Sequence, residues 1–240
     1  MTLDRAEALA KLTGSGAAGP RPAAVGQKFD PSGAVLPFPG NTFLCHIPPE
    51  GEAHAALREA SLALQAGPWA GAFSFLPPSS FHMTVFEGVV DAGRMDARWP
   101  QGVANDLALD AVTDRFLDAV IPLPMPAAHR IRPVAIFGGY SLAVTGATPE
   151  DEASLRESRQ LLSDATGIRR PDFASYGFHV TLAYPLRWLT EAEAEAVIDL
   201  SERVFDRLQA RAPEIALGRI EFCTFDDMHL FRPLRQLGTP

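Results

Sequence analysis

The chain has 240 residues, 47% hydrophobic and 21% charged, the make-up of a globular protein long enough for one large core or two fused lobes. A net charge of −8 provides no basic field for a long polyanion, so extended nucleic-acid binding is not expected and any nucleotide substrate is small, or an end. No window approaches the roughly 18 apolar residues of a membrane span, and "MTLDRAEALAKL" lacks the apolar core of a signal peptide, so a cytoplasmic protein without membrane contact is expected.

Residues 1–40 read as an extended N-terminal arm. From 14 to 40 it is rich in Gly, Pro and Ala, which disfavours a helix, and Asp30–Gly33 has the residues of a turn, with Pro31 presetting φ. Phe29, Val35, Leu36 and Phe38 supply apolar surface by which the arm can dock. A strand follows at 41–47, then a helix over 50–67 with Leu57, Ser61 and Leu64 at helical spacing and Gly67 as its stop. Next comes the short apolar run holding His82, then a helix over 103–120 and a strand at 132–138. Gly138 and Gly139 turn that strand into another at 140–146. Thr148 caps a helix with Pro149 at its first position and Gly167 at its end, and the run holding His179 comes next. Thr190 and Glu193 form a capping-box signature for a last helix, followed by paired strands at 215–225 and 228–234. Each histidine thus closes a strand–helix–strand unit, at nearly equal distances after Pro49 and Pro149. The repeated order predicts an α+β protein of two similar lobes. Cys45 and Cys223 stand in separate apolar runs without CxxC spacing, as buried free thiols would.

The two histidine runs match each other. "FHMTV" spans residues 81–85 and "FHVTL" residues 178–182; composition alone predicts about 0.004 copies of such an F-H-apolar-T-apolar pattern, against the two present. Strand alternation puts His82 and Thr84 on one face and Phe81, Met83 and Val85 on the other, and does the same for His179 and Thr181. If two lobes face these polar sides toward each other, the cleft holds two imidazoles and two hydroxyls. That set suits displacement at a phosphodiester, with one neutral imidazole as base and one protonated imidazole as acid. The threonines Thr84 and Thr181 can bind the non-bridging phosphate oxygens, with no metal and no cofactor.

These residues resemble the paired H-x-T motifs of the 2H phosphoesterase superfamily, which includes the RNA 2',3'-cyclic phosphodiesterases once called 2'-5' RNA ligases. The leader "GQKFDPSGAVLPFPGNT", taken with "FHMTVFEGV", is similar to an uncharacterised bacterial branch of it. The resemblance implies one bilobal domain over residues 41–235, two pseudo-twofold-related lobes each with an antiparallel sheet and packed helices, and a central groove. It implies His82 and His179 as the catalytic pair, with Thr84 and Thr181 beside them.

Further candidates line up behind the motifs. Phe86 shares the strand face of His82 by alternation and could floor the groove under a base. Tyr176, in a turn before the second motif, could stack on a nucleobase. Tyr184 falls on the core face unless a bulge before Pro185 turns it toward substrate. Lys28, one of two lysines, could reach a phosphate from the arm. His46 and His229 are read as structural, and Asp226, Asp227 and His229 as a solvated hairpin in place of a metal site. The function expected is a metal-independent phosphodiesterase acting on a 2',3'-cyclic phosphate or a related small nucleotide, as a monomer. The alternatives are RNA-end ligation through the same groove, or a protein that binds a nucleotide without turning it over.

Overall fold

The computed structural model describes residues 4–95 and 98–238. In chain order the elements are α1 (Arg5–Thr13), β1 (Gly40–His46), α2 (Glu52–Gln65), β2 (Phe73–Phe75), β3 (His82–Val90), α3 (Leu109–Val120), β4 (His129–Phe137), β5 (Ser141–Gly146), α4 (Pro149–Thr166), β6 (His179–Thr181), β7 (Ala183–Pro185), α5 (Glu191–Arg211), β8 (Ile215–Leu217), β9 (Glu221–Asp227) and β10 (Leu230–Gln236). The predicted helix ends hold where a specific cap marked them. Thr148 pairs reciprocally with Asp151 at the start of α4, Thr190 with Glu193 at the start of α5, and Gly167 ends α4 at φ 74°. The helix expected from 103 begins six residues late. Leu107 N–H donates to Ala104 O across a turn containing Asn105 and Asp106, and no side chain caps Ala108.

An eight-stranded sheet runs in the order β10-β9-β1-β3-β6-β5-β4-β8, with every described pairing antiparallel. It has two halves of four strands, joined where β3 meets β6 at the single pair Met83↔Val180. The strand–helix–strand units β1-α2-β3 and β5-α4-β6 occupy equivalent places in the two halves, as the repeat predicted. The later strands differ from the sequence reading. β4, which follows the first unit, pairs with β5 in the second half, while β9 and β10, which follow the second unit, complete the first half beside β1. β8 and β9, expected as one strand, are divided between the halves, β8 on β4 and β9 on β1. The chain therefore crosses between halves twice, tying them together.

The N-terminal arm departs from expectation over its first residues. Residues 5–13 form a helix, because Asp4 accepts the Ala6 N–H as an N-cap and Ala8 and Leu12, four apart, bury against Val197 and Ile198 of α5. Beyond Gly14 no helix forms, and residues 22–39 wrap over the sheet face opposite the main core. Alternation along β1 sends Phe43 and Cys45 into that main core. Leu44 goes to a second cluster with Phe29 and Phe38 of the arm and Phe225, Met228 and Phe231 of the last hairpin. Phe29 is fully buried there, and the Asp30–Gly33 turn forms with its N–H···O bond at 3.0 Å. Both cysteines are buried free thiols. Among the described residues no helix is long and apolar enough to cross a membrane.

Gly88 marks the closest approach of β3 to β1. A Cβ there would meet Asn41 Oδ1 at 2.1 Å and Asn41 O at 2.5 Å. Asn41 cannot yield, since it is buried and bonded to Thr113 Oγ1 at 2.9 Å and Val89 N at 3.0 Å. Gly88→Ala is expected to destabilise the protein by about 2–3 kcal/mol through overpacking, read as a lower urea midpoint with an unchanged m value.

Candidate active site

The groove between the arm and the sheet has a volume of about 330 Å³ and is lined by His82, Thr84, His179 and Thr181 together. Antiparallel pairing about Met83↔Val180 sets His82 beside Thr181 and His179 beside Thr84. The four polar side chains therefore share one face at the seam of the two sheet halves, while Phe81, Met83, Val85, Phe178, Val180 and Leu182 are buried on the other.

The two imidazoles are held the same way. His82 Nδ1 lies 2.7 Å from Ser80 O, and His179 Nδ1 lies 2.9 Å from Gly177 O, in each case the carbonyl two residues upstream. A carbonyl accepts only, so Nδ1 carries the hydrogen and Nε2 is the nitrogen that can exchange a proton in the groove. Their surroundings differ. Burial pushes the His82 pKa down to about 4, against the support of the Ser80 carbonyl, and His46, His179 and Lys28 push it the same way. His82 is thus held neutral at pH 7, in the state of a proton acceptor.

Both motif strands break their alternation just after the threonine. Val85 and Phe86 are both buried, as are Leu182 and Ala183. Between β1 and β3 the register shifts at this point, and Leu182 N–H and Ala183 N–H both donate to Tyr140 O. These are β-bulges, and they turn the residue five positions after each histidine, Glu87 or Tyr184, into the groove. The expectation for Phe86 is corrected accordingly: it lies in the main core, fully buried, with Phe43 and Phe173 at ring distances of 6.2 and 6.4 Å, and Glu87 takes the groove position. Arg159 of α4 fastens the first bulge, donating through Nη1 to Val85 O at 2.5 Å.

Tyr184 faces the groove, turned by the bulge. Its hydroxyl accepts from Lys28 Nζ at 3.3 Å, and the ammonium stands 4.8 Å from its ring centre and 5.3 Å from that of Phe38. The arm thus brings Lys28 and Gln27 into the groove wall. Tyr176 also borders the groove, but its ring is only 9% exposed, sits 3.8 Å under the Arg159 guanidinium, and donates its hydroxyl to Thr84 O at 3.4 Å. It braces the floor behind His179, its ring 6.0 Å from the imidazole.

His46 pairs with His82 across β1 and β3, with ring centres 6.3 Å apart, and its Nδ1 is 2.5 Å from Glu221 Oε2. With Cys223 these two form a group of three potential metal ligands among the described residues, but its histidine and carboxylate are already bonded to each other. Asp226 pairs with Arg232 and Asp227 accepts the His229 N–H, as in an ordinary hairpin. Sequence reasoning missed Glu87, Arg170, Trp99 and Phe231, the last with its ring 4.2 Å from that of His82. For Glu87 the signal was present: two successive apolar residues follow the threonine in both motifs, so equal spacing pairs it with Tyr184.

Two H-x-T strands thus meet edge to edge across one groove, each imidazole tied back through Nδ1. Residues 28–134 match the 2H-phosphodiest family model, described as a domain of unknown function (DUF1868), a stretch that holds the first motif and ends before the second. That stretch is 107 of the 240 residues. The chain is 31% identical to a conserved protein of unknown function, ATU0111, from Agrobacterium tumefaciens, covering 95% of this chain and 97% of that one with a TM-score of 0.89. E. coli LigT complexed with NADP+ aligns at 11% identity over 85% of this chain and 100% of that one, TM-score 0.45. Usb1 of Kluyveromyces marxianus aligns at 13% over 81% and 97%, TM-score 0.44. No curated protein matches the chain.

The His82 environment makes stability depend on pH. Its folded pKa of about 4 lies below the ordinary 6.5, so between these values the unfolded chain binds the extra proton and folding must release it. The contribution is fully present above pH 6.5 and is lost as pH falls toward 4. In urea titrations at pH 7 and 4.5, His82→Asn is expected to lose less stability over that interval than the wild type.

Proposed function

We propose that the protein is a phosphodiesterase that opens a 2',3'-cyclic phosphate, or a related small nucleotide phosphodiester, by acid/base catalysis between two histidines without a metal. The observation that carries this reading is the matched pair of imidazoles, each committed through Nδ1 to a backbone carbonyl and each with Nε2 left for one shared groove. A protein that only bound a nucleotide would gain nothing from an acid and a base poised across the same phosphate.

The roles follow from the surroundings. His82, held neutral, accepts a proton at Nε2 from the attacking water as its oxygen bonds to phosphorus. His179 gives the proton on its Nε2 to the departing ribose oxygen as the P–O bond breaks. Negative charge grows on the non-bridging oxygens in between, where the hydroxyls of Thr84 and Thr181 donate. Lys28 adds a positive charge from the arm. Among the described residues its nearest polar partner is the Tyr184 hydroxyl and no carboxylate pairs with it, so its charge is available to a phosphate. A groove of about 330 Å³ walled by the arm suits a mononucleotide or dinucleotide better than a long strand.

Two expected outcomes test this. Against nucleoside 2',3'-cyclic phosphates with EDTA present, His82→Ala and His179→Ala should each lower kcat by roughly 100-fold or more, and the double variant should lose far less than the product of the two. Multiplicative losses, or activity that needs a divalent ion, would count against a shared metal-free site. Lys28→Met should weaken kcat/KM by about tenfold while leaving the acid limb of the pH profile assignable to His82. An unchanged kcat/KM would remove the arm from substrate binding.

A further inference from the structure

The fold is near-symmetric about the seam, but the two ends of the groove are not alike. Beyond His82 and Thr181 lies the Tyr184–Lys28 end; beyond His179 and Thr84 lies Glu87, with Arg170 and Trp99 beside it. Glu87 stands three positions beyond Thr84 on β3, at most about 10 Å at the rise of an extended strand, which is the length of a nucleoside.

At this end hydrogen-bonding capacity is left open. Glu87 Oε2 is 3.0 Å from Arg170 Nε, yet it is buried and takes no well-directed hydrogen bond. Glu87 Oε1 has no partner among the described residues. The Arg170 side chain is 8% exposed; its Nε and Nη2 bond Asp172 at 3.1 and 3.2 Å, and Nη1 is unpartnered among the described residues. The Glu87 side chain is 39% exposed at the border of the groove, so its outer oxygen is open to a ligand while Oε2 rests against Arg170.

Resting on the reading of the groove as a cyclic-nucleotide site, we propose that Glu87 and Arg170 read the base of the substrate and select guanine. Guanine is the common base that offers two adjacent N–H donors, N1–H and the N2 amine, on one edge. Both converge on the outward oxygen of Glu87, while the neighbouring O6 accepts from Arg170 Nη1. Adenine and cytosine place a ring-nitrogen acceptor where guanine has N1–H, so the carboxylate faces a lone pair. Uracil presents a single N–H donor on that edge. A site built to bond a substrate N–H discriminates strongly against an analogue that lacks it.

The test compares kcat/KM of the full-length protein for guanosine, inosine, adenosine, cytidine and uridine 2',3'-cyclic phosphates. Alongside it, calorimetry measures binding of guanosine and adenosine 3'-monophosphates to the wild type and to Glu87→Gln. Guanosine is expected to exceed adenosine by about tenfold or more. Inosine, which lacks the N2 amine, should fall between them, and Glu87→Gln should lose the preference at a thermal midpoint close to that of the wild type. The inosine comparison needs no variant, so it holds even if the substitution disturbs folding. Hydrolysis of all five at similar kcat/KM overturns the base-reading role and leaves the phosphodiesterase reading intact. If no cyclic nucleotide is hydrolysed while guanosine 3'-monophosphate binds about tenfold more tightly than the adenosine compound, the subsite stands and the catalytic reading falls. Absence of both hydrolysis and base-selective binding overturns the inference.

Discussion

The site depends on where β3 and β6 stop being regular strands. An unbroken strand would send residues 82, 84, 86 and 88 to one face, giving the groove a phenylalanine and burying a carboxylate. The bulge after Val85 prevents this, keeping Phe86 in the core and turning Glu87 out. The same event after Leu182 turns out Tyr184. A bulge leaves ladder groups unpaired. Arg159 meets that requirement by reaching from α4 to Val85 O, its guanidinium lodged over Tyr176, Phe178, Phe86 and Phe173. Tyr176 in turn reaches Thr84 O and backs the His179 ring, 6.0 Å away. One buried cation thus links the first bulge, the floor of the groove and the second histidine.

The backbone symmetry of the two motifs does not extend to their electrostatics. Both imidazoles are oriented by a carbonyl two residues upstream, but His82 has the rings of Phe231 and His46 beside it, whereas His179 has that of Tyr176. Enclosure favours the neutral form, because a buried imidazolium loses hydration that one carbonyl bond does not replace. Two of the groups beside His82 come from segments outside the duplication, Lys28 from the arm and Phe231 from the last hairpin.

The arm is as much a part of the site as the strands. Phe29 and Phe38 anchor it in the second apolar cluster, and the Asp30 turn sets Lys28 against Tyr184. In a chain with net charge −8, one ammonium is held over the rings of Tyr184 and Phe38 in the wall of the groove.

By itself the sequence determined the elements whose signals are local. The reciprocal caps at Thr148 and Thr190, the stop at Gly167, the repeated strand–helix–strand order and the shared face of each H-x-T pair were all legible, because capping and alternation act within a few residues. Helix α1 was misread because the Gly- and Pro-rich stretch after residue 14 was extended backward over a well-capped segment. Only the tertiary structure decided the rest. The exchange of β4 and β9 between the halves, the seam at Met83↔Val180, the setting of His82 beside His46 and Phe231 and the placing of Lys28 all depend on contacts between residues far apart in the chain. The bulges lie between the two cases: paired apolar residues announce them locally, but a strand adopts a bulge only when a neighbouring strand and a buried partner such as Arg159 take up the unpaired backbone groups.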